Sequence, residues 1–348
     1  MKRIAILIIV ALLLTTPVSA VEFTAPEAPA SAEKYMPDDT ESFWDGFFEI
    51  LKNVIAEVSP RLTESLRLSA SLLAIILILS VIKNLSNRYA TVLNLVAGFA
   101  ISITILTPTT FPINQSIQAV QDISEYGKLL LPVMTAAMAA QGIATTSASL
   151  YAGTTVFNAI LNTAISALII PAIYVYIALS VACCSLGQDI LKKLCEFVKW
   201  LITWILKAIL YLFTGYIGIT GVIGGVTDAI ALKTTKLAIS GLVPFVGNVL
   251  SDASETVLLS AAIVKNTAGI YGFLVIIAIC AGPFISIGAQ YLFLKATAGI
   301  CSIYGTKETT DLLQSFSCTI GFLLAIVGVM VVIFLVSIVC FMKGIANV

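Results

Sequence analysis

Long apolar runs dominate this chain and alternate with short polar stretches. A helix needs roughly 20 apolar residues to cross a bilayer, and several runs approach that length. They are Leu68–Ile82, Ala90–Thr107, Thr155–Cys184, Trp200–Val226, Asn266–Leu294 and Phe316–Met342. This pattern predicts an all-α, polytopic membrane protein with about six transmembrane helices.

The composition supports a membrane protein. Of 348 residues, 59% are hydrophobic and 11% are charged, and the mean hydropathy is +1.04. Typical soluble domains have about 45–50% apolar and about 25% charged residues. A water-soluble fold could not bury this much apolar surface, so we expect the lipid bilayer to be the main partner.

The N-terminus has the pattern of an export signal. Lys2 and Arg3 precede the apolar run Ile4–Leu14, and Val18-Ser19-Ala20 provides the small residues of a signal-peptidase site. We predict a signal peptide over residues 1–20, cleaved after Ala20. An uncleaved anchor is the alternative, and in either case the following segment starts outside.

The charges define an exported segment and an orientation. Residues 21–67 hold ten of the nineteen acidic residues and four basic ones. Basic residues favour the inner side of the membrane, and six spans that start from an exported 21–67 segment place the expected basic loops inside. Those loops contain Lys83, Arg88, Lys192, Lys193, Lys199, Lys295 and Lys307. We therefore predict a multi-pass protein of the cell membrane with an exported N-terminal segment.

Prolines suggest a tandem repeat. Pro132 and Pro171 are 39 residues apart, as are Pro244 and Pro283, and the two pairs are offset by 112 residues. Around each pair the order is an amphipathic helix, a Pro-led segment, a Pro-containing span, a basic loop and a last span. The predicted units are a two-span hairpin (68–110), a first repeat (111–226) and a second repeat (227–348). The predicted amphipathic helices are Ile113–Tyr126 and Thr227–Ser240.

The two Pro-led segments, Leu129–Tyr151 and Gly241–Ala262, either re-enter on one side or cross the membrane. Crossing by the first would move the basic loop after it outside, and crossing by the second would bury Asp252 and Glu255 at depth. Charges therefore favour two re-entrant segments. Such backbone must be covered by protein or water, so we expect an interior cavity or a seam between subunits, and a homo-oligomer remains open.

Residues that support ordinary catalysis are missing from the chain. There is no histidine, which removes the usual general base, the common nucleophile pairs and most zinc sites. No phosphate-binding loop is present, and the seven cysteines lie in or beside apolar segments. We expect no catalytic residues, no cofactor, no metal and no nucleic-acid binding.

Six residues are candidates for a polar path or a partner contact. They are Pro132, Lys207, Pro244, Gly247, Asp252 and Glu255. Asp252 and Glu255 are three residues apart and share one helix face, although a helix cap with a solvated face explains them equally simply. Lys207 lies within an apolar run, where its long side chain either reaches the interface or faces a polar path.

The stretch Leu242–Val257, which reads LVPFVGNVLSDASETV, resembles the stage III sporulation protein AE family of endospore-forming Firmicutes. The signal peptide, the acidic exported segment and the polytopic body fit the same family. The resemblance implies a component of the channel between mother cell and forespore, in the mother-cell membrane that faces the forespore. It also implies partners: the other stage III sporulation A proteins, including an ATPase and ring-forming proteins, and indirectly stage II sporulation protein Q.

The sequence is therefore consistent with two functions. The first is a non-enzymatic membrane scaffold or export gate of a secretion-like sporulation complex. The alternative is a stand-alone secondary transporter with its site between the two repeats, which would need polar residues in mid-span, such as Asn158, Asn162 and Lys207.

Overall fold

The computed structural model describes residues 25–37, 43–85, 90–140, 144–186, 188–219 and 267–346, and its regular structure in these ranges is helical. The helices are α1 (Ala30–Glu33), α2 (Phe43–Leu85), α3 (Ala90–Ala140), α4 (Ala144–Ala164), a π-helical turn (Ile165–Ile169), α5 (Ile170–Leu186), α6 (Asp189–Ile219), α7 (Thr267–Tyr304) and α8 (Lys307–Ala346).

Six helical segments among the described residues are long and apolar enough to cross a membrane. This confirms the predicted all-α class, and the number of candidate spans among the described residues equals the predicted six. The segments are Phe43–Ile82, Leu95–Ala140, Ala144–Leu186, Asp189–Gly218, Gly269–Tyr304 and Lys307–Lys343.

The helices are much longer than the bilayer is thick. Helix α3 has 51 residues, which corresponds to about 76 Å at 1.5 Å per residue, against a hydrocarbon core of about 30 Å. The amphipathic stretch Ile113–Tyr126 continues the second span without a break, and Pro132 lies further along the same helix. Within the stretch, Asn114, Gln118, Gln121 and Glu125 are exposed, while Ile113, Val120, Ile123 and Tyr126 are buried. The bundle therefore extends beyond the membrane.

Helices α3 and α4 form an antiparallel hairpin. The side-chain amides of Asn158 and Asn162 both donate to the Ser124 hydroxyl, at 3.0 and 2.9 Å. These bonds place the two ends of the segment Leu129–Tyr151 side by side, which a segment that crosses the membrane once cannot do. Entry of this segment into lipid remains a prediction. The second Pro-led segment, Gly241–Ala262, lies outside the described residues, so the repeat remains a prediction too.

The π-helical turn Ile165–Ile169 directly precedes Pro171. A proline ring clashes with the carbonyl four residues earlier and offers no N–H, so the helix cannot keep its normal hydrogen bonding there. Widening one turn is a common accommodation. Helix α7 contains Pro283 and continues through it.

Helices α7 and α8 form the core of the bundle. In their most apolar windows, 72% and 78% of the residues are buried inside the protein, compared with 17–44% in the other candidate spans. Helix α8 starts with a reciprocal cap: the Thr309 N–H donates to the Thr306 hydroxyl at 3.2 Å, and the Thr306 N–H donates to the Thr309 hydroxyl at 3.0 Å. The apolar character of these two helices therefore serves packing within the protein more than contact with lipid.

The outer helices present apolar side chains outward. On α6, the rings of Phe197, Trp200 and Trp204 stack in a row, with centroids 6.0 and 6.3 Å apart, and all three are exposed. Tryptophan favours the interface between membrane and water. This face of α6 therefore fits a lipid environment.

The segment before α2 packs on the core. Ala32 and Tyr35 are buried, and the Tyr35 ring lies against Gly282 of α7. Lys34 forms an ion pair with Glu57 of α2. Burial opposes the charged form of Lys34, but its hydrogen bonds to Glu57 and Tyr35 prevail and raise its pKa above the ordinary value. Part of the predicted exported segment is thus fastened to α2 and α7.

Candidate functional site

A polar cleft opens between α2, α3 and α7, with a volume of about 330 Å³. Its lining consists of Arg61, Glu64, Ser65 and Leu68 from α2, Thr107, Pro108, Phe111 and Gln115 from α3, and Ser286 and Gln290 from α7. Polar side chains thus converge next to the middle of α7, which is otherwise an apolar helix.

The mouth of the polar cleft carries an ion pair on an aromatic ring. The Arg61 guanidinium lies 4.2 Å from the centroid of Phe111 and donates from Nη1 to Glu64 at 3.0 Å. The Arg61 and Glu64 side chains are 47% and 67% exposed. An ion pair this exposed adds little to stability.

The floor of the polar cleft is buried and hydrogen-bonded. The Ser286 hydroxyl donates to Gln115 Oε1 at 2.7 Å, and it also lies 3.3 Å from the Pro283 carbonyl oxygen. Ser286 and Gln290 are both only 7% exposed. They are four residues apart on α7, so they share one helix face and direct two polar groups toward the same space.

A second polar group lies buried between α3, α4 and α8. Besides the bonds of Asn158 and Asn162 to Ser124, the hydroxyls of Thr154 and Ser337 are 3.0 Å apart. Among the described residues, Asn158 Oδ1 has no hydrogen-bond partner. These bonds fix the register of the helix hairpin against the core.

A third site lies where α5, α6 and α8 meet, and it is called the inner-end pocket because the orientation predicted from the charges places it on the inner side. Its volume is about 240 Å³. Its charged residues are Lys192, Glu196, Lys199, Glu308 and Asp311, and its other lining residues include Tyr176, Ser180 and the thiols of Cys183, Cys184 and Cys195. In the part of the chain that the structure describes, no three His, Cys, Asp or Glu side chains are grouped as metal ligands.

Comparison with known proteins decides the family. The family model for Stage III sporulation protein AE matches residues 35–344, a range that covers nearly the whole bundle and the polar cleft. The chain belongs to this family. Membership in the stage III sporulation protein AE family supports a role in sporulation, and the six apolar helices fit a multi-pass membrane protein.

A curated relative supports the same family. Stage III sporulation protein AE of Bacillus subtilis (strain 168) is 26% identical over 228 residues, which is 65% of this chain and 56% of that protein. The match thus spans little more than half of the relative's length. No solved structure matches the chain significantly.

The candidate residues suggested by the sequence do not meet in one described site of this family member. Pro132 is exposed on α3, and Lys207 is half-buried on α6. Neither lines the polar cleft or the inner-end pocket. Pro244, Gly247, Asp252 and Glu255 lie outside the described residues, so their role stays a prediction.

Sequence reasoning missed the polar cleft. Ser286 and Gln290 interrupt an apolar run four residues apart, directly after Pro283, and that spacing was a usable signal. In the sequence, Arg61 and Glu64 stand out only as charged members of the acidic segment 21–67. Their pairing with α3 and α7 depends on how the helices pack, which spacing within one helix does not reveal.

Proposed function

We propose that this protein is an integral membrane component of the channel complex between mother cell and forespore, where it acts as a scaffold or export gate. Its place is the mother-cell membrane that faces the forespore, with the N-terminal segment exported. The observation that carries the proposal is the family match over residues 35–344.

The dimensions of the bundle support a scaffold. Helices of 51 and 43 residues, α3 and α2, leave tens of ångströms outside a hydrocarbon core of about 30 Å. With the orientation predicted from the charges, the α3–α4 hairpin projects on the exported side. A projecting bundle offers a surface on which ring-forming proteins in the space between the two membranes can assemble.

Close helix contacts make that bundle rigid. A Cβ added to Gly153 of α4 would lie 2.0 Å from the Tyr216 ring of α6, and one added to Gly272 of α7 would lie 2.8 Å from Leu130 of α3. Small residues at such crossings allow helices in membranes to approach closely. A rigid frame suits a component that positions others.

The two ends of the bundle suit different partners. The inner-end pocket presents charges of both signs on the side that faces the mother-cell cytoplasm in the proposed orientation, where an ATPase among the stage III sporulation A proteins would dock. The exported end faces the ring-forming members and, through them, stage II sporulation protein Q. Both assignments rest on the family and on the predicted orientation.

A sporulation assay tests this function. Deletion of the gene in its own host should abolish forespore gene expression after engulfment, measured with a forespore-specific fluorescent reporter, and a wild-type copy should restore it. The Asp252→Ala plus Glu255→Ala double variant should fail to restore it, with the single charge change Lys295→Gln on the exposed face of α7, away from the hairpin, as the control. Normal reporter activity in the deletion strain would refute the proposed function, whereas normal activity in the double variant alone would refute only the role of that face.

The amides of the buried Asn158 and the partly buried Asn162 favour a test of the transporter alternative. Polar side chains within a span, next to a widened helical turn, are a feature of substrate and ion sites. Liposomes that contain only this protein should show no solute uptake if it is a scaffold. Uptake that is lost in Asn158→Leu would support a secondary transporter instead.

A further inference from the structure

The polar cleft lies where the outer surface of α2 changes from a mixture of charged and apolar side chains, which includes the exposed Phe48 and Ile55, to a mainly apolar one. On α2 no charged residue follows Arg67 until Lys83, so residues 68–82 contain none. Below the cleft, on the side toward the connection between α2 and α3, both helices expose apolar side chains. They are Leu77, Ile78, Val81 and Ile82 on α2 and Val96, Phe99, Ile103 and Leu106 on α3. Above the cleft, α3 exposes Asn114 and Gln118. In a membrane protein such a boundary coincides with the layer of lipid headgroups.

We propose that the polar cleft binds the headgroup of a zwitterionic phospholipid, a phosphoethanolamine lipid, whose acyl chains lie along the exposed apolar faces of α2 and α3.

Arg61 is the phosphate ligand. Stacking on Phe111 at 4.2 Å holds the guanidinium plane in place while leaving its N–H edge accessible. A guanidinium has five N–H donors, so the bond to Glu64 leaves capacity for a phosphate oxygen. Arginine binds phosphate through paired, charge-assisted hydrogen bonds. The hydroxyls of Ser65 and Thr107 line the same cavity and can donate to the remaining oxygens.

Glu64 is the ammonium ligand, and it determines the type of lipid. Its carboxylate is 3.0 Å from Arg61 Nη1 and mostly exposed, so it can accept from a primary ammonium at the same time. Arg61 and Glu64 together carry no net charge, which matches a zwitterionic headgroup. A headgroup with a net negative charge, such as phosphatidylglycerol, would have no cation for Glu64 and would be repelled by it.

The shape of the polar cleft agrees with this ligand. A volume of about 330 Å³ is at the lower end of the range of small-molecule sites. Leu68 and Pro108 form its apolar side, directly above the exposed apolar faces. With a headgroup in the cleft, the glycerol and acyl chains of the lipid would therefore lie on the exposed apolar faces of α2 and α3. They would cross no polar surface on the way.

Native mass spectrometry of the full-length protein in detergent tests the proposal, with phosphatidylethanolamine and phosphatidylglycerol of identical chains added in equal amounts. We expect occupancy by phosphatidylethanolamine to be at least about fivefold higher than occupancy by phosphatidylglycerol. Arg61→Gln should lower phosphatidylethanolamine occupancy approximately tenfold, because charge-assisted hydrogen bonds to phosphate are lost. Arg67→Gln is the matched control, since Arg67 is exposed on α2 but does not line the cleft. It should stay within about twofold of the wild type, because a surface charge away from the site contributes little.

Glu64→Gln provides an independent readout, since it should reduce the preference for phosphatidylethanolamine over phosphatidylglycerol without abolishing lipid binding. Equal occupancy by both lipids in the wild type, or equal losses in Arg61→Gln and Arg67→Gln, would overturn the proposal. Full competition by soluble phosphoethanolamine at the lipid's own concentration would show a site for a free phosphate ester. A bound peptide protecting the cleft residues from labelling would show a protein partner, and either result would also overturn the proposal.

Discussion

The ring of Phe334 on α8 lies directly over the Cα of Gly127 on α3, where a Cβ would come within 1.9 Å of the ring. Gly127 lies in the second half of the 51-residue helix α3, beyond the stretch Ala90–Thr107 that the sequence marks as a span. The contact fastens the projecting part of α3 to the core helix α8. The rigidity proposed for the scaffold depends on contacts of this kind.

Gly127→Ala should therefore destabilise the protein. The ring of Phe334 is fully buried and cannot move aside freely, so overpacking should cost about 1–3 kcal/mol. Thermal unfolding in detergent, followed by circular dichroism, would show a lower midpoint. Gly299→Ala is the control, because a Cβ there has no neighbour within 4 Å. Phe334→Leu combined with Gly127→Ala should recover part of the loss, and a double variant less stable than Gly127→Ala would contradict the contact.

Tyr216 should hold α6 to the helix hairpin. Its hydroxyl donates to the Ser149 carbonyl of α4, and its ring covers Gly153. Tyr216→Phe removes only the hydrogen bond and should cost about 0.5–1.5 kcal/mol, whereas Gly153→Ala should cost more because the ring must move. Proteolysis at the C-terminal end of α6 would measure both effects. Equal protection in the two variants and the wild type would argue against this anchor.

Ser124 should be important for the hairpin because it accepts from two amides. Ser124→Ala leaves Asn158 and Asn162 without this acceptor and should cost about 0.5–2 kcal/mol in detergent or lipid. Ser302→Ala, which removes an exposed hydroxyl bonded only within its own helix among the described contacts, should have little effect. Equal unfolding midpoints for the two variants would show that the Ser124 bonds contribute nothing.

The orientation can be tested by labelling single cysteines in a variant without the native seven. Ala148 lies on the exposed face of α4 near the hairpin end, and Ser302 is exposed near the inner end of α7. A membrane-impermeant maleimide should label Ala148→Cys in intact protoplasts and Ser302→Cys only after permeabilisation. Labelling of both residues from the same side would contradict the antiparallel six-span arrangement.

The sequence predicted the spans because lipid and core both demand apolar residues, and either demand produces the same long runs. For the same reason the sequence could not distinguish spans that face lipid from helices of the core. Helices α7 and α8 have the composition of lipid-exposed helices, yet Phe273 and Phe334 are buried by other helices. The continuity of α3 through Pro108, Pro112 and Pro132 was also hidden, since proline normally signals a boundary.

The polar cleft could be predicted only in part. Ser286 and Gln290 are visible as polar positions one turn apart in an apolar run. Arg61 and Gln115 gain their roles from contacts with helices that are remote in sequence: Arg61 stacks on Phe111, and Gln115 accepts from Ser286 across 171 positions. Periodicity within one helix contains no information about such pairings.

Affinity isolation tests whether this protein is a component of the channel complex. The tagged protein would be isolated from membranes of engulfed sporangia after mild solubilisation, and quantitative mass spectrometry would identify what accompanies it. Other stage III sporulation A proteins should be recovered with it in comparable molar amounts, and an unrelated polytopic membrane protein with the same tag should recover none. Isolation of the protein without any of them, from cells in which all are present, would contradict its role as a component of the channel complex.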